Sequence, residues 1–84
     1  MAYQITLHKN AMKALVKINE PYYSNIKKVI YQLGKNPRPN GYQKLKGRPG
    51  YRIRVGDYRI IYEIFDSELI IDVIDLGHRK EIYD

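Results

Sequence analysis

The 84 residues contain no cysteine. That excludes a disulfide framework and thiolate metal sites, and it suits a reducing compartment. No stretch approaches the roughly 20 apolar residues of a membrane helix. The opening MAYQITLHKN has no apolar run behind a basic start, so it does not read as a secretory signal. A soluble cytoplasmic protein with no membrane partner is expected. There is no His-Glu-x-x-His, no Gly-rich phosphate loop and no paired-cysteine motif, so no metal and no cofactor are expected. The length allows one domain, 1–84, with a thin core.

Acidic residues are scarce in the middle of the chain. The net charge is +6, and residues 35–59 hold eight basic residues against the single acid Asp57. Residues 60–84 reverse this, with seven acids and two basic residues. A concentrated basic block meets a polyanion such as RNA, DNA or an acidic protein, or else is a solvated surface.

The apolar pattern divides the chain into short elements. Tyr3 to Leu7 alternates like a strand. Lys9 to Ile18 reads as a helix with the stripe Ala11, Met12, Leu15 and Val16 inward and Lys9, Lys13 and Lys17 on another face. Pro21 suits the start of a second helix, buried through Tyr22, Ile26, Val29, Ile30 and Leu33 and ended by Gly34 in a left-handed cap. The short link between the helices implies a hairpin. Asn36 to Gly41 (NPRPNG) is a turn-rich loop. Gln43 to Lys46 is a candidate short strand. Tyr51 to Val55, Tyr58 to Phe65 and Leu69 to Leu76 are clearer ones, and 77–84 is a polar tail. The expected fold is α+β: an antiparallel four-stranded sheet with the N-terminal two-helix hairpin on one face, in the order β-α-α-β-β-β.

Gly56-Asp57 fits a two-residue hairpin turn with glycine first. That turn sets Val55 opposite Tyr58, Arg54 opposite Arg59 and Arg52 opposite Ile61. Tyr51, Ile53, Val55, Tyr58, Ile60, Tyr62 and Ile64 then share the helix side, and Arg52, Arg54 and Arg59 share the other. Arg54 and Arg59 would have Cβ atoms roughly 5 Å apart, a destabilising like-charge pair. Such a cluster is either a phosphate platform, since guanidinium binds phosphate bidentately, or a solvated face with a nearby acid such as Asp75. His78, beside Arg79, is a proton carrier or a surface histidine, and His8 reads as structural. Tyr83 stacks on a base or packs the tail. Asp72 and Asp75, three apart on a strand, are expected on opposite faces.

Taken in order, Lys44-Leu45-Lys46-Gly47, Tyr51-Arg52-Ile53-Arg54-Val55, Gly56-Asp57-Tyr58-Arg59-Ile60-Ile61-Tyr62 and Gly77-His78-Arg79-Lys80-Glu81-Ile82-Tyr83 resemble the RelE/ParE toxin superfamily. The resemblance spans nearly the whole chain. It implies a ribosome-dependent endoribonuclease, a toxin cutting mRNA in the ribosomal A site and neutralised by a cognate antitoxin. Operator DNA would be bound only by the toxin–antitoxin complex. By this resemblance Arg52, Arg54, Arg59, Arg79 and Tyr83 match catalytic positions, and Lys44, Lys46 and Arg48 are expected to contact RNA and the small ribosomal subunit. In the RelE pattern the positions of Arg52 and Arg54 are lysines, one of them the general base. Arginine is a poor base, so His78 is the expected proton carrier and Glu63 the second choice. The expected chemistry is metal-independent attack of a ribose 2′-OH, giving a 2′,3′-cyclic phosphate. A ParE-like gyrase inhibitor, a plain nucleic-acid-binding module and an inactive antitoxin-binding relic are the alternatives.

Overall fold

The computed structural model describes residues 2–78 and 80. Seven elements run in the order β1 (Gln4–Leu7), α1 (Lys9–Val16), α2 (Tyr22–Leu33), β2 (Gln43–Lys44), β3 (Tyr51–Val55), β4 (Tyr58–Phe65) and β5 (Ile70–His78). The strands form one sheet in the order β1-β5-β4-β3-β2. The α+β class matches expectation, but the described residues form five strands, not four, and the sheet is mixed. Successive hairpins make β2 to β5 antiparallel, while β1 lies parallel to β5 at the edge. A hairpin dictates antiparallel pairing. β1 has no hairpin partner and reaches β5 only after the rest of the chain has folded back, so local sequence leaves its direction open.

Both helices cover one face. Ala11 and Leu15 of α1 and Ile26, Ile30 and Leu33 of α2 pack with Ile53, Ile60, Tyr62, Ile71, Val73 and Leu76. Burying one such aliphatic side chain contributes about 1.5–3 kcal/mol, so this cluster holds the domain together. The α1 stripe is turned from its expected setting: Met12 and Val16 are 55% and 67% exposed, whereas Ala14 and Ile18 pack against the core. A helix this short offers the sheet a narrow contact, which Ala11, Ala14 and Leu15 fill, with Ile18 just beyond its end. The α2 face lies as expected, except that Tyr22 is exposed at the helix start. The α2 start is capped by Glu20, whose carboxylate accepts bonds from the Ser24 amide (3.0 Å) and hydroxyl (2.6 Å). Those bonds hold its carboxyl below the usual range.

Gly34 is not a left-handed cap; its φ is −64°. Glycine is required by crowding instead. A Cβ here would lie 3.0 Å from the Tyr3 carbonyl oxygen and 3.3 Å from Ile5 Cδ1, because the Tyr3 amide donates to the Gly34 carbonyl (2.6 Å) where β1 passes the helix end.

The β3–β4 hairpin follows the expected register: Val55 pairs with Tyr58, Arg54 with Arg59, and Arg52 with Ile61. Gly56 takes φ +60° at the turn. The β4–β5 pairing carries one irregularity. Ile61 pairs with Asp75 but Tyr62 with Val73, so Ile74 is an extra residue, a β-bulge. Among the described residues no helix is long and apolar enough to cross a membrane.

Candidate functional site

The sheet face turned away from the helices carries the candidate arginines. Strand alternation puts Arg52 and Arg54 of β3 and Arg59 of β4 on it, with Arg54 and Arg59 as direct cross-strand partners. Arg54 is exposed, and Arg52 and Arg59 are partly buried. Between them Ile61, only 1% exposed, forms an apolar floor under the charged groups. Gly77, opposite Arg59 on β5, adds no side chain to this end of the face. Three guanidinium groups fixed on neighbouring strands over a dry floor can bind a phosphate from several directions at once.

Gln43 of β2 pairs with Arg52, and its side-chain carbonyl oxygen accepts a bond from Arg52 Nη2. This orients the arginine. A cleft of about 310 Å³ beside it is lined by Asn40, Gly41, Gln43, Arg52 and Arg54. Sequence reasoning missed Asn40, Gly41 and Gln43. The signal for Gln43 was the Gln43–Arg52 pairing, which emerges once the short β2 is paired with β3. The loop is tied down by Tyr62, whose hydroxyl donates to the buried Pro37 carbonyl (2.8 Å). Burial pushes the Tyr62 phenol above its ordinary range.

The other expected residues fall into four groups. Lys44 pairs with Tyr51, which puts its side chain on the reverse side; its ammonium lies 5.6 Å from the Tyr51 ring centre and donates to the Arg48 carbonyl. Lys46 and Arg48 are exposed in the loop between β2 and β3. His78 is not brought together with the arginines. It pairs with Tyr58, their rings 5.7 Å apart at 70°, and Tyr58 in turn meets Tyr22 of α2 at 5.3 Å. His78 therefore lies on the helix side. Arg79 and Tyr83 lie outside the described residues.

The acids also depart from expectation. The bulge at Ile74 shifts the alternation by one residue, so Asp72, opposite Glu63, and Asp75, opposite Ile61, share the arginine-bearing face. Glu63 lies two residues beyond Ile61 on β4, on the same face and diagonal to Arg52. Asp75 accepts the Leu76 amide (2.9 Å). Asp72 binds Thr6 (2.8 Å) and His8 (2.7 Å), so His8 joins β1 to β5. Arg38, from the basic block, is committed elsewhere: it grips Asp66 through two bonds, 2.8 and 3.3 Å. That contact, with Tyr3 donating at 2.6 Å, holds the Asp66 carboxyl below the usual range.

A family model described as the ParE toxin of type II toxin–antitoxin systems, parDE, matches residues 5–83. The mRNA interferase toxin RelE of Escherichia coli (strain K12) is 28% identical over 88 residues, covering 99% of this chain and 92% of that protein. The archaeal RelE–RelB complex from Pyrococcus horikoshii OT3 contains a similar chain (TM-score 0.83, 30% identity, 98% of this chain and 100% of that one). So does the RelB–RelE antitoxin–toxin complex from Methanococcus jannaschii (TM-score 0.74, 31% identity, 94% and 95%).

Proposed function

Because the chain belongs to the RelE/ParE toxin superfamily, we propose that it is an mRNA-cleaving endoribonuclease, dependent on the ribosome and neutralised by a cognate antitoxin. One observation carries this reading: three arginines share the sheet face away from the helices, two of them direct cross-strand partners. The names of its relatives, an mRNA interferase and toxins in RelE–RelB complexes, supply the substrate and the partner.

In the proposed reaction the ribose 2′-oxygen attacks the adjacent phosphorus. The bond from phosphorus to the 5′-oxygen breaks and the departing oxygen takes a proton from water, leaving a 2′,3′-cyclic phosphate and a 5′-hydroxyl. Arg52, Arg54 and Arg59 hold the phosphate and offset the charge that builds on its oxygens. Arg79 and Tyr83 join them by family resemblance, Arg79 on the phosphate or leaving oxygen and Tyr83 on the nucleotide. The 2′-OH proton needs an acceptor, and guanidinium is a poor one. Glu63 is favoured, because it shares the arginines' face and sits diagonal to Arg52. His78 faces the other side. Lys46 and Arg48 extend the basic rim toward the ribosomal small subunit.

The test is cleavage of mRNA on programmed ribosomes, with free mRNA as control and analysis of the product ends. Cleavage confined to the A site with cyclic phosphate ends is expected. Glu63→Gln should abolish it, and His78→Ala should leave the pH–rate profile in place. The reverse pattern would return the proton to His78. Folded protein that cuts nothing would sink the ribonuclease reading. The match to the ParE description favours a second reading, a gyrase inhibitor, which a supercoiling assay would then decide.

A further inference from the structure

A groove of about 660 Å³ lies on the helix side of the sheet, behind the arginine-bearing face. Its volume falls within the roughly 300–1,000 Å³ of small-ligand sites. Leu76 and Gly77 contribute to its lining, with Lys13 and Lys17 of α1. The two lysines are four apart, so they project from the same side of the helix. Neither takes part in an ion pair among the described residues. Tyr22, Tyr58 and His78 line the groove as a row of rings, with centres 5.3 and 5.7 Å apart. Glu20 is an acid at this site, and both its oxygens are occupied by Ser24. The groove is thus cationic and aromatic. A row of rings beside ammonium groups is the chemistry that receives unpaired nucleotides, bases on the rings and phosphates on the cations.

The groove also adjoins the arginines. His78 pairs with Tyr58, and the next pair along is Gly77 with Arg59. One residue step, roughly 3.3 Å, separates the two sites along the strand, on opposite faces. The Tyr58–His78 and Arg59–Gly77 pairs thus make the groove and the arginine-bearing face immediate neighbours.

We propose that this groove is a second RNA subsite, taking the unpaired nucleotides that continue from the phosphate held by Arg52, Arg54 and Arg59, with a base against Tyr22, Tyr58 and His78 and backbone phosphates at Lys13 and Lys17. The proposal rests on the ribonuclease reading for its substrate. It gives His78 a place in binding and explains an aromatic row that the cleavage step does not use.

The test measures binding of the full chain to two fluorescent RNA oligomers, a trimer and a heptamer, each with a 2′-deoxy residue at the cut position. The heptamer should bind about tenfold tighter or better, from the added stacking and phosphate contacts. K13Q/K17Q should remove that gain and lower the salt slope by about 1.4, at roughly 0.7 for each phosphate contact. Tyr22→Leu should remove much of the gain with little change in slope. Thermal melts establish that the variants are folded. A gain that is absent in the wild type, or that survives both variants, overturns the proposal. So does a K13Q/K17Q loss that falls on antitoxin affinity alone, which would assign the groove to an acidic peptide. Ribosomal cleavage is read separately. Wild type that cuts no mRNA but binds the heptamer through the groove sinks the ribonuclease reading only, and wild type that cuts with no length gain sinks the groove only.

Discussion

Arg54 faces Arg59 across the β3–β4 ladder, where an acid would be the comfortable neighbour. Arg54→Ala should therefore act in opposite directions. Stability should hold or rise by a few tenths of a kcal/mol, within the roughly 0.2–1 kcal/mol range of cross-strand pairs. Cleavage on ribosomes should fall on the order of 100-fold. Urea melts and cleavage rates measured together check this, and a parallel loss of both would make Arg54 structural. Gly34→Ala should lose about 1–3 kcal/mol, since the added carbon presses on the Tyr3 carbonyl and neither strand nor helix end can easily yield. An unchanged melting temperature would refute that. Residues of this kind were unevenly legible. Gly56 announced its own turn and so fixed three arginines on one face. Gly34 was visible as a helix end, but the close passage of β1 that demands glycine was not.

At the level of elements, parity decides the site. Alternation holds as long as each residue has one partner, and β3 and β4 keep that rule, so the arginines could be placed by counting from the turn. The bulge at Ile74 breaks it, bringing Asp72 and Asp75 to one face. A mismatch of one residue between neighbouring strands leaves no mark in either strand's own pattern. The face of His78 was illegible for a related reason: nearness to Arg79 in sequence says nothing of which side a strand residue takes. Two anchors hold the loops around the site. Tyr62→Phe should cost about 1–3 kcal/mol by leaving the buried Pro37 carbonyl without its donor, and it should weaken cleavage by loosening the loop of Asn40 and Gly41 beside Arg52. Denaturant unfolding and cleavage rates measure the two effects. Asp66 anchors the same loop through Arg38. Its carboxyl is depressed, so it stabilises the fold above the unfolded-state value near pH 4, and this contribution is lost as pH falls through the lower folded-state value. The difference in melting temperature between wild type and Asp66→Asn should be open at neutral pH and close below about pH 4. A constant difference across that window would mean the carboxylate charge is not what holds the loop.

For the whole molecule, class and element order were legible because helix and strand periods alternate cleanly along the chain. The direction and place of β1 were not, since they depend on contacts between residues more than sixty apart. A core this thin leaves the free protein marginal. An antitoxin present at 100 times its dissociation constant should add about 2.7 kcal/mol. For a domain of this size that is a rise in melting temperature of roughly 10–20 °C. A smaller shift under saturating antitoxin would mean that binding does not favour the folded toxin. The face away from the helices has a further consequence through its layout: arginines on β3 and β4, carboxylates of Asp72 and Asp75 on β5. Such a face has an electrical compass bearing in its own plane. In the field of a polyanion the protein turns before it touches, arriving arginines first and carboxylates outermost, so that orientation is partly settled during diffusion. Ionic strength then governs how often an encounter begins the right way round, and association rates should fall with added salt more steeply than dissociation rates rise.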